Sequence, residues 1–409
     1  MSFILRIIII AVLALGIQFY FLGRLQGSIR IVFPKINPAK IKKYKWLLLL
    51  FANIYLIVGL IYLVYIQFTG TNIAFPPPYP WFDYLIQFPF WVFIVLVFQS
   101  ILLFLLLELI YLVTIIFASH YKEKAKILLS KIRLVLVFFF LFYVPARTYY
   151  DYSTVSTRIV EYKKSGLPAE LNGFKIVLIA DVQADRYTNR ERLSKYINEV
   201  NKTNPDLVLI AGDVITSTPT YIPLAAEVLG NIKSKYGVYS CVGDHDNWAY
   251  RTDNERSRRE ITEALHAQNV KMIDNDKLVL NVYNAKVGIT FITNTYVESI
   301  DKYTIDSLGN NNHEDLKIFL THQPRSFLIN YAKEFGYDLF FAGHTHGGQL
   351  TFLFPFINLS PTLIETKYVK GDFRFGNMLA VVNRGLGMSL APIRYNSTPE
   401  VTLILITPK

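Results

Sequence analysis

The chain has 409 residues, of which 52% are hydrophobic, and its formal net charge is +11. The first 150 residues carry 14 Lys and Arg against 3 Asp and Glu, whereas residues 151–409 carry 28 basic and 28 acidic side chains. This distribution indicates loops beside membrane helices, and we do not expect nucleic acid among the partners. Because Cys241 is the single cysteine, an internal disulfide is excluded.

The first 150 residues are expected to form an α-helical transmembrane bundle of about four spans. A helix needs roughly 20 apolar residues to cross a bilayer. Four apolar segments approach or exceed that length, the last of them together with its flanks: Ile7–Leu22, Trp46–Phe68, Phe88–Phe117 and Leu134–Val144. A multi-pass protein of the cell membrane is therefore predicted.

The loops between these segments predict the sidedness. The loop from Arg24 to Lys45 is basic and has no acid, the loop before Phe88 carries only Asp83, and the third loop is basic again. Basic loops stay in the cytoplasm, so residues 151–409 are expected outside it. Glu108, inside the third span, is either a functional acid or a carboxylate bonded to Tyr111 or another helix.

After a predicted linker at residues 151–171, strands and helices alternate through residues 172–409, which predicts one α/β domain. The expected strands are apolar runs: Phe174–Ala180, Asp206–Ala211, Gly237–Val242, Val287–Thr293, Leu316–Leu320 and Tyr337–Ala342. The expected helices are amphipathic or apolar segments between them: Asn189–Lys202, Tyr221–Ile232 and Ile261–Gln268.

Polar side chains follow five of these strands. The ends read Asp181-Val-Gln183, Gly212-Asp213, Gly243-Asp-His-Asp246, His322 and Gly343-His-Thr-His346. Active sites of layered α/β sheets lie at the carboxyl ends of strands, so these side chains can share one pocket. Imidazoles and carboxylates are ligands of Zn²⁺, Mn²⁺ and iron. Taken singly, Gly212-Asp213 fits a turn with a capping Asp, and His322 fits a turn histidine.

In this order the motifs resemble those of the calcineurin-like metallophosphoesterases, whose pattern runs Asp-x-His, Gly-Asp, Gly-Asn-His-Asp/Glu, a lone His and Gly-His-x-His. The resemblance covers roughly residues 172–408. Arg384-Gly-Leu-Gly387 and Arg394 are similar to the closing segment of one subgroup. A multi-pass region before the domain resembles a membrane-anchored branch of the family.

The resemblance implies an αββα sandwich that holds two divalent metal ions. The first ion would be bound by Asp181, Gln183 and His346, and the second by Asp244, His322 and His344, with Asp213 bridging both. The resemblance assigns the remaining two residues of the site to catalysis. His245 would protonate the leaving oxygen or stabilise the transition state, and Asp246 would orient its ring.

Two positions depart from the family pattern. Gln183 replaces a histidine and offers an amide oxygen, which suits harder ions such as Mn²⁺, with Fe, Zn²⁺ or Mg²⁺ as alternatives. Asp244 replaces an asparagine and adds a third carboxylate beside Asp181 and Asp213. This charge is expected to tighten the second metal and to weaken attraction for a highly anionic substrate.

The leading hypothesis is a membrane-anchored dinuclear-metal phosphoesterase that hydrolyses phosphodiester or pyrophosphate bonds, with a lipid-linked or envelope substrate. The alternative is a catalytically weakened metal-binding sensor or binding module on a membrane anchor. A transporter with a regulatory domain is disfavoured by the lack of repeats or broken helices in the sequence. The apolar segment Phe352–Ile357 is either a rim facing the membrane or core. Substrate identity and oligomeric state are not determined by the sequence.

Overall fold

The computed structural model describes residues 3–70, 76–309 and 313–409, without the side chains of residues 3–8 and 10. The chain divides into two compact units. The helical unit comprises Met1–Tyr150 and Phe352–Leu359. The α/β unit comprises Asp151–Thr351 and Ser360–Lys409.

The helical unit is built from the long apolar runs of the sequence. Its helices are α1 (Phe3–Val32), α2 (Pro38–Ala52), α3 (Ile54–Thr69), α4 (Pro80–Phe82), α5 (Phe88–Phe117) and most of α6 (Lys122–Ser153). A π-helical turn at Asp83–Gln87 joins α4 and α5 into one continuous helix. Pro145 lies inside α6, where the Thr148 hydroxyl donates a hydrogen bond to the Val144 carbonyl oxygen (2.7 Å).

Two helices of the described residues are long and apolar enough to cross a membrane, Pro80–Phe117 and Ser119–Ser153. The pair α2 and α3 passes the same test only as one segment bent by 49°, because each helix alone, with 15 and 16 residues, is too short. Asn53 lies at this bend and exchanges two hydrogen bonds with Gln18 of α1 (2.7 and 3.0 Å). Two to three candidate spans are therefore shown where about four were predicted. The first predicted span, Ile7–Leu22, includes residues at its start whose side chains are outside the described part of the chain.

The α/β unit contains two six-stranded mixed sheets, ordered β1-β14-β2-β3-β4-β5 and β12-β13-β9-β8-β7-β6. The strands are β1 (Ser156–Lys164), β2 (Lys175–Ile179), β3 (Leu207–Ile210), β4 (Val238–Cys241), β5 (Val270–Ile273), β6 (Asp276–Val282), β7 (Ala285–Ile292), β8 (Leu316–Thr321), β9 (Leu339–Ala342), β10 (Phe352–Phe354), β11 (Ile357–Leu359), β12 (Gly371–Phe375), β13 (Met378–Val382) and β14 (Glu400–Pro408). The hairpin of β10 and β11 belongs to the helical unit.

Five helices cover the outer faces of the two sheets. They are α7 (Arg190–Lys202), α8 (Ile222–Leu229), α9 (Asn254–Ala267), α10 (Lys302–Gly309) and α11 (Ser326–Glu334). The core between the sheets joins Leu178 and Leu209 of the first sheet to Phe291 and Phe341 of the second. Separate cores lie under α7–α9 on one side and under α10 and α11 on the other. The layers run helix, sheet, sheet, helix, which is the architecture that the resemblance implied.

The central strands form because β-branched and apolar residues fill both faces of each strand. All residues of β3, β4 and β9 are buried, as expected for parallel strands covered on two sides. The strands β2, β3 and β4 are parallel, and so are β8 and β9. Their carboxyl ends therefore lie at one edge of each sheet, where the polar motifs follow.

The segment 151–171, which was expected to be a linker, contains a full strand. β1 pairs in parallel with β14 over nine residues, from Ser156 opposite Glu400 to Lys164 opposite Pro408. Val160 and Tyr162 are buried, and Ile159, which precedes Val160, is 69% exposed. The sequence did not indicate this strand, because an edge strand with polar residues on its outer face has the composition of a loop.

The apolar segment Phe352–Ile357 enters the hairpin of the helical unit. The Gln99 side chain donates to the Leu353 carbonyl oxygen and accepts from the Leu353 amide, both at 2.8 Å. The Phe98 and Phe352 rings lie 5.9 Å apart. Phe356, at the turn, is fully exposed. The segment is therefore part of the unit that carries the candidate membrane spans, and it is not core of the α/β unit.

Candidate metal centre

The predicted ligands come from five loops at the carboxyl ends of β2, β3, β4, β8 and β9. The structure brings six of them into two groups in which the candidate ligand atoms lie within 4.8 Å of one another. One group contains Asp181, Asp213 and His346, and the other contains Asp244, His322 and His344. Each group contains residues that the resemblance implied as ligands of one ion, and Gln183 is the one implied ligand that belongs to neither group.

Five of the predicted ligands have left-handed backbone conformations. Asp181, Gln183, Asp213, His344 and His346 have φ values between 49° and 71°. Non-glycine residues rarely adopt this region, which costs of order 1–3 kcal/mol at each position and is concentrated at functional sites. The loops therefore hold these side chains in one arrangement at the expense of local backbone stability.

Gly212 and Gly243 let two of these loops approach each other closely. A Cβ atom on Gly243 would lie 2.3 Å from the amide nitrogen and from Oδ1 of Asp213. A Cβ atom on Gly212, whose φ is +74°, would lie 2.7 Å from the Gly243 backbone. The Gly-Asp and Gly-x-His motifs therefore depend on each other, because each glycine makes room for the other loop.

The first group is fully enclosed. Asp181 and Asp213 are 0% and 2% exposed, and His346 Nε2 lies 3.8 Å from Asp181 Oδ1. Burial raises the pKa of Asp181 to about 7. Burial and the neighbouring guanidinium of Arg394 hold the pKa of His346 well below its usual range. This group therefore favours a neutral imidazole, the form that binds a metal.

Gln183 lies beside this group, and the hydrogen bonds of its side chain show whether a metal ion would fit there. Its Nε2 donates to Asp213 Oδ2 (2.8 Å), which leaves the amide oxygen to face the other way. Gln183 is completely buried, and its Oε1 has no hydrogen-bond partner among the described residues. A buried carbonyl oxygen without a partner is costly. A divalent cation beside Asp181 and His346 would satisfy it, so the side chains present fit a metal.

The second group is organised around Asp244. Its carboxylate accepts hydrogen bonds from the Gln323 amide (2.8 and 2.9 Å) and the Tyr296 backbone amide (2.6 Å), and His344 Nδ1 lies 2.9 Å from Oδ2. His322 Nδ1 lies 2.7 Å from the Ala211 carbonyl oxygen. Because a carbonyl only accepts, this contact fixes the proton on Nδ1 and leaves Nε2 to face Asp213 (3.3 Å) and Asp244 (3.4 Å).

The charges of this group are strongly coupled to one another. Burial opposes ionisation of Asp244, but hydrogen bonds from His322 and His344 hold its pKa well below the usual range. Burial also opposes protonation of the two histidines. Asp213 and Asp244 nevertheless raise the pKa of His322 well above its usual value, and Asp244 and Glu365 raise that of His344 to about 9. Cations are therefore favoured here, whether they are protons or metal ions.

His245 is half-buried beside both groups. Its backbone amide donates to Asp213 Oδ1 (2.8 Å), and its ring packs edge-on against Trp248 with 4.8 Å between centroids. Nδ1 hydrogen-bonds the Thr216 carbonyl oxygen, and Nε2 lies 3.3 Å from the Ser389 hydroxyl. The contact with Thr216 places the proton on Nδ1, so Nε2 of the neutral ring is the acceptor that lies beside the Ser389 hydroxyl.

Asp246 was expected to orient the ring of His245, and the structure gives it another role. Its carboxylate accepts from the backbone amides of Asp213 (3.0 Å), Val214 (2.8 Å) and Gly243 (2.8 Å). Asp246 thus connects the loop of Asp213 to the loop that contains Gly243 and Asp246, while the Thr216 carbonyl oxygen orients the ring of His245. Sequence analysis did not single out Thr216, because it is 29 residues away from His245 and has no sequence signature.

Two further residues support the ligands. Arg394, fully buried, donates to the carbonyl oxygens of Gly387 (2.9 Å) and His346 (3.1 Å) and lies 3.4 Å from His346 Nδ1. Burial lowers its pKa to about 10. Glu365 lies 3.0 Å from His344 Nε2 and accepts from the Tyr296 hydroxyl (2.7 Å). From the sequence, Arg394 was identified only as part of the closing segment, and no motif indicated Glu365.

The comparisons with known proteins show which family this part of the chain is similar to. Residues 174–348 match the calcineurin-like phosphoesterase family. Over these residues the α/β unit is similar to calcineurin-like phosphoesterases. The domain is accordingly a phosphoester hydrolase, and the two ligand groups of the structure are consistent with divalent metal ions.

Several known proteins are similar to this chain in sequence. The uncharacterized metallophosphoesterase YkuE of Bacillus subtilis is 28% identical over 60% of this chain and 82% of its own length. A transmembrane protein with metallophosphoesterase domain from Danio rerio is 28% identical over 60% of this chain and 56% of its own. The phosphodiesterase YaeI of Escherichia coli is 26% identical over 62% and 87% of the two chains.

Proposed function

We propose that the protein is a membrane-anchored dinuclear-metal phosphoesterase that hydrolyses phosphodiester or pyrophosphate bonds. The convergence of two ligand groups from five loops is the observation that carries this proposal. Asp181, Gln183 and His346 would hold one ion, Asp244, His322 and His344 would hold the other, and Asp213 would contact both. The free Oε1 of Gln183 supports its role as a ligand.

Mn²⁺ is the proposed metal. The first group offers two carboxylates and an amide oxygen against one imidazole, and hard oxygen ligands favour Mn²⁺ or Mg²⁺ over softer ions. The second group adds two imidazoles, which Mn²⁺ also accepts. When bound, the ions would polarise the phosphoryl oxygens and activate a water molecule.

The protein itself supplies the proton for the leaving oxygen. His245 presents Nε2 while Thr216 holds the proton on Nδ1, so in its doubly protonated form the ring donates from Nε2 as a general acid. The hydrogen bond from its backbone amide to Asp213 fixes the distance between the acid and the ligand groups. Asp246 keeps this backbone in place through its three amide contacts.

A diester or pyrophosphate is favoured over a phosphate monoester by charge. The third carboxylate, Asp244, leaves the site with about one positive charge when two divalent ions are bound. A monoester dianion gains less attraction from such a site than from the family pattern with asparagine. The printed name of the Escherichia coli relative, a phosphodiesterase, agrees with this class.

We propose that residues 1–150 anchor the domain with about four spans and that the α/β unit lies outside the cytoplasm. The alternation of basic, neutral and basic loops supports this sidedness. The two candidate spans and the transmembrane relatives support the anchor. The hairpin with Phe356 at its turn gives an apolar surface directly after the His346 loop in sequence, which supports a lipid-linked or envelope substrate.

The test uses full-length protein in detergent micelles with added Mn²⁺. We expect hydrolysis of bis(4-nitrophenyl) phosphate to exceed that of 4-nitrophenyl phosphate and to stop when the metal is chelated. Asp213→Asn and His245→Ala should each lower turnover by about 10²-fold or more. His266→Ala, which changes an exposed histidine of α9, is the matched control.

A folded protein that binds Mn²⁺ and turns over neither ester would contradict the enzymatic proposal. The metal-binding sensor would then be the better interpretation. The double variant Gln183→His with Asp244→Asn separates the two cases, because gain of turnover would show that these two departures silence the site.

A further inference from the structure

A polar cavity lies inside the helical unit. Its volume is about 160 Å³, and its walls come from α1, α5 and α6. Among its lining residues are three cationic side chains, Arg24, Lys126 and Arg133, and one anionic side chain, Glu108. A cavity that holds one water molecule needs a volume of roughly 10–15 Å³, so this cavity has room for a larger polar group.

The charges in the cavity are unbalanced. Glu108 binds Arg133 (2.6 Å) and Arg24 (3.3 Å), so one carboxylate is shared by two guanidinium groups. Glu108 therefore has the second of the two roles predicted for it, that of a carboxylate paired within the bundle. Lys126 adds a further cation and lies 3.8 Å from Glu123, an exposed acid outside the cavity. At least one positive charge remains without a counterion inside the cavity.

Several buried donors also lack partners in the described residues. The Ser28 and Ser130 hydroxyls are 1% and 0% exposed and have no hydrogen-bond partner. The Nε of Arg133, a residue that is 8% exposed, is unpaired as well. All three groups line the same cavity and can donate. Buried donors without acceptors cost about 1–3 kcal/mol each, which an anion with several oxygens would recover.

On the side formed by α1 no side chain enters the cavity at two positions, because α1 has glycine at successive turns. A Cβ atom added to Gly23 or Gly27 would meet nothing within 4 Å. These two glycines lie four residues apart and therefore on one face of α1. Small residues next to unpaired donors and an excess cation give the cavity the shape and the charge of an anion site.

The position of the cavity along the helices limits which kinds of ligand can reach it. Glu108 is nine residues before the end of α5 at Phe117, which is about 14 Å along the helix, and Lys126 is four residues into α6, about 6 Å. The cavity therefore begins near the turn that connects the two candidate spans and reaches into the helical layer. In a bilayer, polar headgroups occupy that depth, and basic pockets between helices at the cytoplasmic side bind anionic headgroups.

We propose that this cavity binds the phosphodiester group of an anionic phospholipid. The inference rests on the proposed membrane placement of the helical unit and is independent of the proposed hydrolysis. The guanidinium groups of Arg24 and Arg133 would contact the phosphate oxygens together with the Ser28 and Ser130 hydroxyls, and the acyl chains would lie along the exposed apolar surface of the bundle.

The experiment measures lipid binding without turnover. Full-length protein in a neutral detergent is titrated with a short-chain phosphatidylglycerol, with the matching phosphatidylcholine and with inorganic phosphate, while native mass spectrometry counts bound lipid and thermal unfolding reports stabilisation. Specific retention of phosphatidylglycerol supports the proposal. Equal retention of both lipids, or protection by inorganic phosphate alone, would overturn it.

Two variants locate the site without breaking the ion pairs of Glu108. Gly27→Leu places a side chain in the cavity on the side formed by α1. The double variant Ser28→Ala with Ser130→Ala removes two hydrogen-bond donors. Each should weaken phosphatidylglycerol binding by about fivefold to tenfold, the scale of one lost basic or charge-assisted contact. Gly16→Leu, at an exposed position of α1, and Lys124→Met, which removes an exposed charge, should leave binding unchanged. Unchanged binding in both cavity variants would also overturn the proposal.

Discussion

The imidazoles of the second ligand group hold protons in the metal-free protein. Burial opposes this, yet Asp244 and Glu365 raise the pKa of His344 to about 9, and Asp213 and Asp244 raise that of His322 well above its usual value. Below about pH 9 a metal ion must therefore displace at least one proton. In the metal-free state the same shift stabilises the fold at low pH, and this contribution is lost as the pH rises through the folded pKa.

We expect Mn²⁺ to bind more tightly as the pH is raised toward about 9, by up to tenfold per unit for each proton released. Calorimetric titrations of full-length protein in buffers of different ionisation enthalpy measure both the affinity and the protons released. Glu365→Gln removes one of the groups that raise the pKa of His344, so the pH dependence should move to lower pH. An affinity that stays flat from pH 6 to 9 would contradict this account.

Gln183 is the second residue with a direct test. Its Oε1 is the buried acceptor that we assign to a metal. Gln183→Leu should lower the affinity of one of the two ions by tenfold or more, about 1.4 kcal/mol, and leave the other ion in place. Gln183→His should restore a family ligand and bind at least as well as the wild type. Metal content after gel filtration measures both, with exposed Gln268→Leu as the control. Loss of both ions together would point to collapse of the loop.

At the scale of elements, the strand β1 decides where the α/β unit begins. It adds an edge to the first sheet, and Tyr162 on it is 2% exposed with its hydroxyl bonded to Asp338 (3.2 Å) and to the Asn377 carbonyl oxygen (3.0 Å). A flexible linker would make no such contacts. The boundary of the folded unit therefore lies before Ser156.

Tyr162→Ala should lower the free energy of unfolding by about 3–4 kcal/mol, because it leaves a cavity and removes two hydrogen bonds. Ile159→Ala, on the exposed face of the same strand, should change it by less than about 0.5 kcal/mol. Denaturant unfolding of the full-length protein, followed by tryptophan fluorescence, compares the two. Equal and small effects would return this segment to the status of a linker.

At the scale of the whole molecule, the sidedness of the α/β unit determines which substrates it meets. The single cysteine helps to measure it, since Cys241 is completely buried and burial raises the pKa of its thiol. The wild-type chain therefore provides a silent background for labelling.

We expect a membrane-impermeant maleimide to label Ser165→Cys in intact cells and to label Lys43→Cys only after lysis. Ser165 is exposed in the α/β unit, and Lys43 is exposed in the first basic loop region. The reverse pattern would place the α/β unit in the cytoplasm. Labelling of the wild-type chain in either condition would show that Cys241 is accessible and would require its replacement by alanine.

The sequence by itself determined the α/β class, the placement of polar side chains after β2, β3, β4, β8 and β9, and the basic and apolar pattern of the first 150 residues. These features are local, because strand runs, glycine turns and helix lengths depend on neighbours along the chain. The family match and the layered sheets confirm the first of them.

Only the tertiary structure decided which partners each side chain finds. Thr216 rather than Asp246 orients His245, Glu365 reaches His344, and Arg24 reaches Glu108 across 84 residues. It also made Ser156–Lys164 a strand and bent the second predicted span at Asn53. The physical reason is common to all of them. Contacts between distant segments depend on how sheets and helices pack, and a single sequence carries no local signal for that packing.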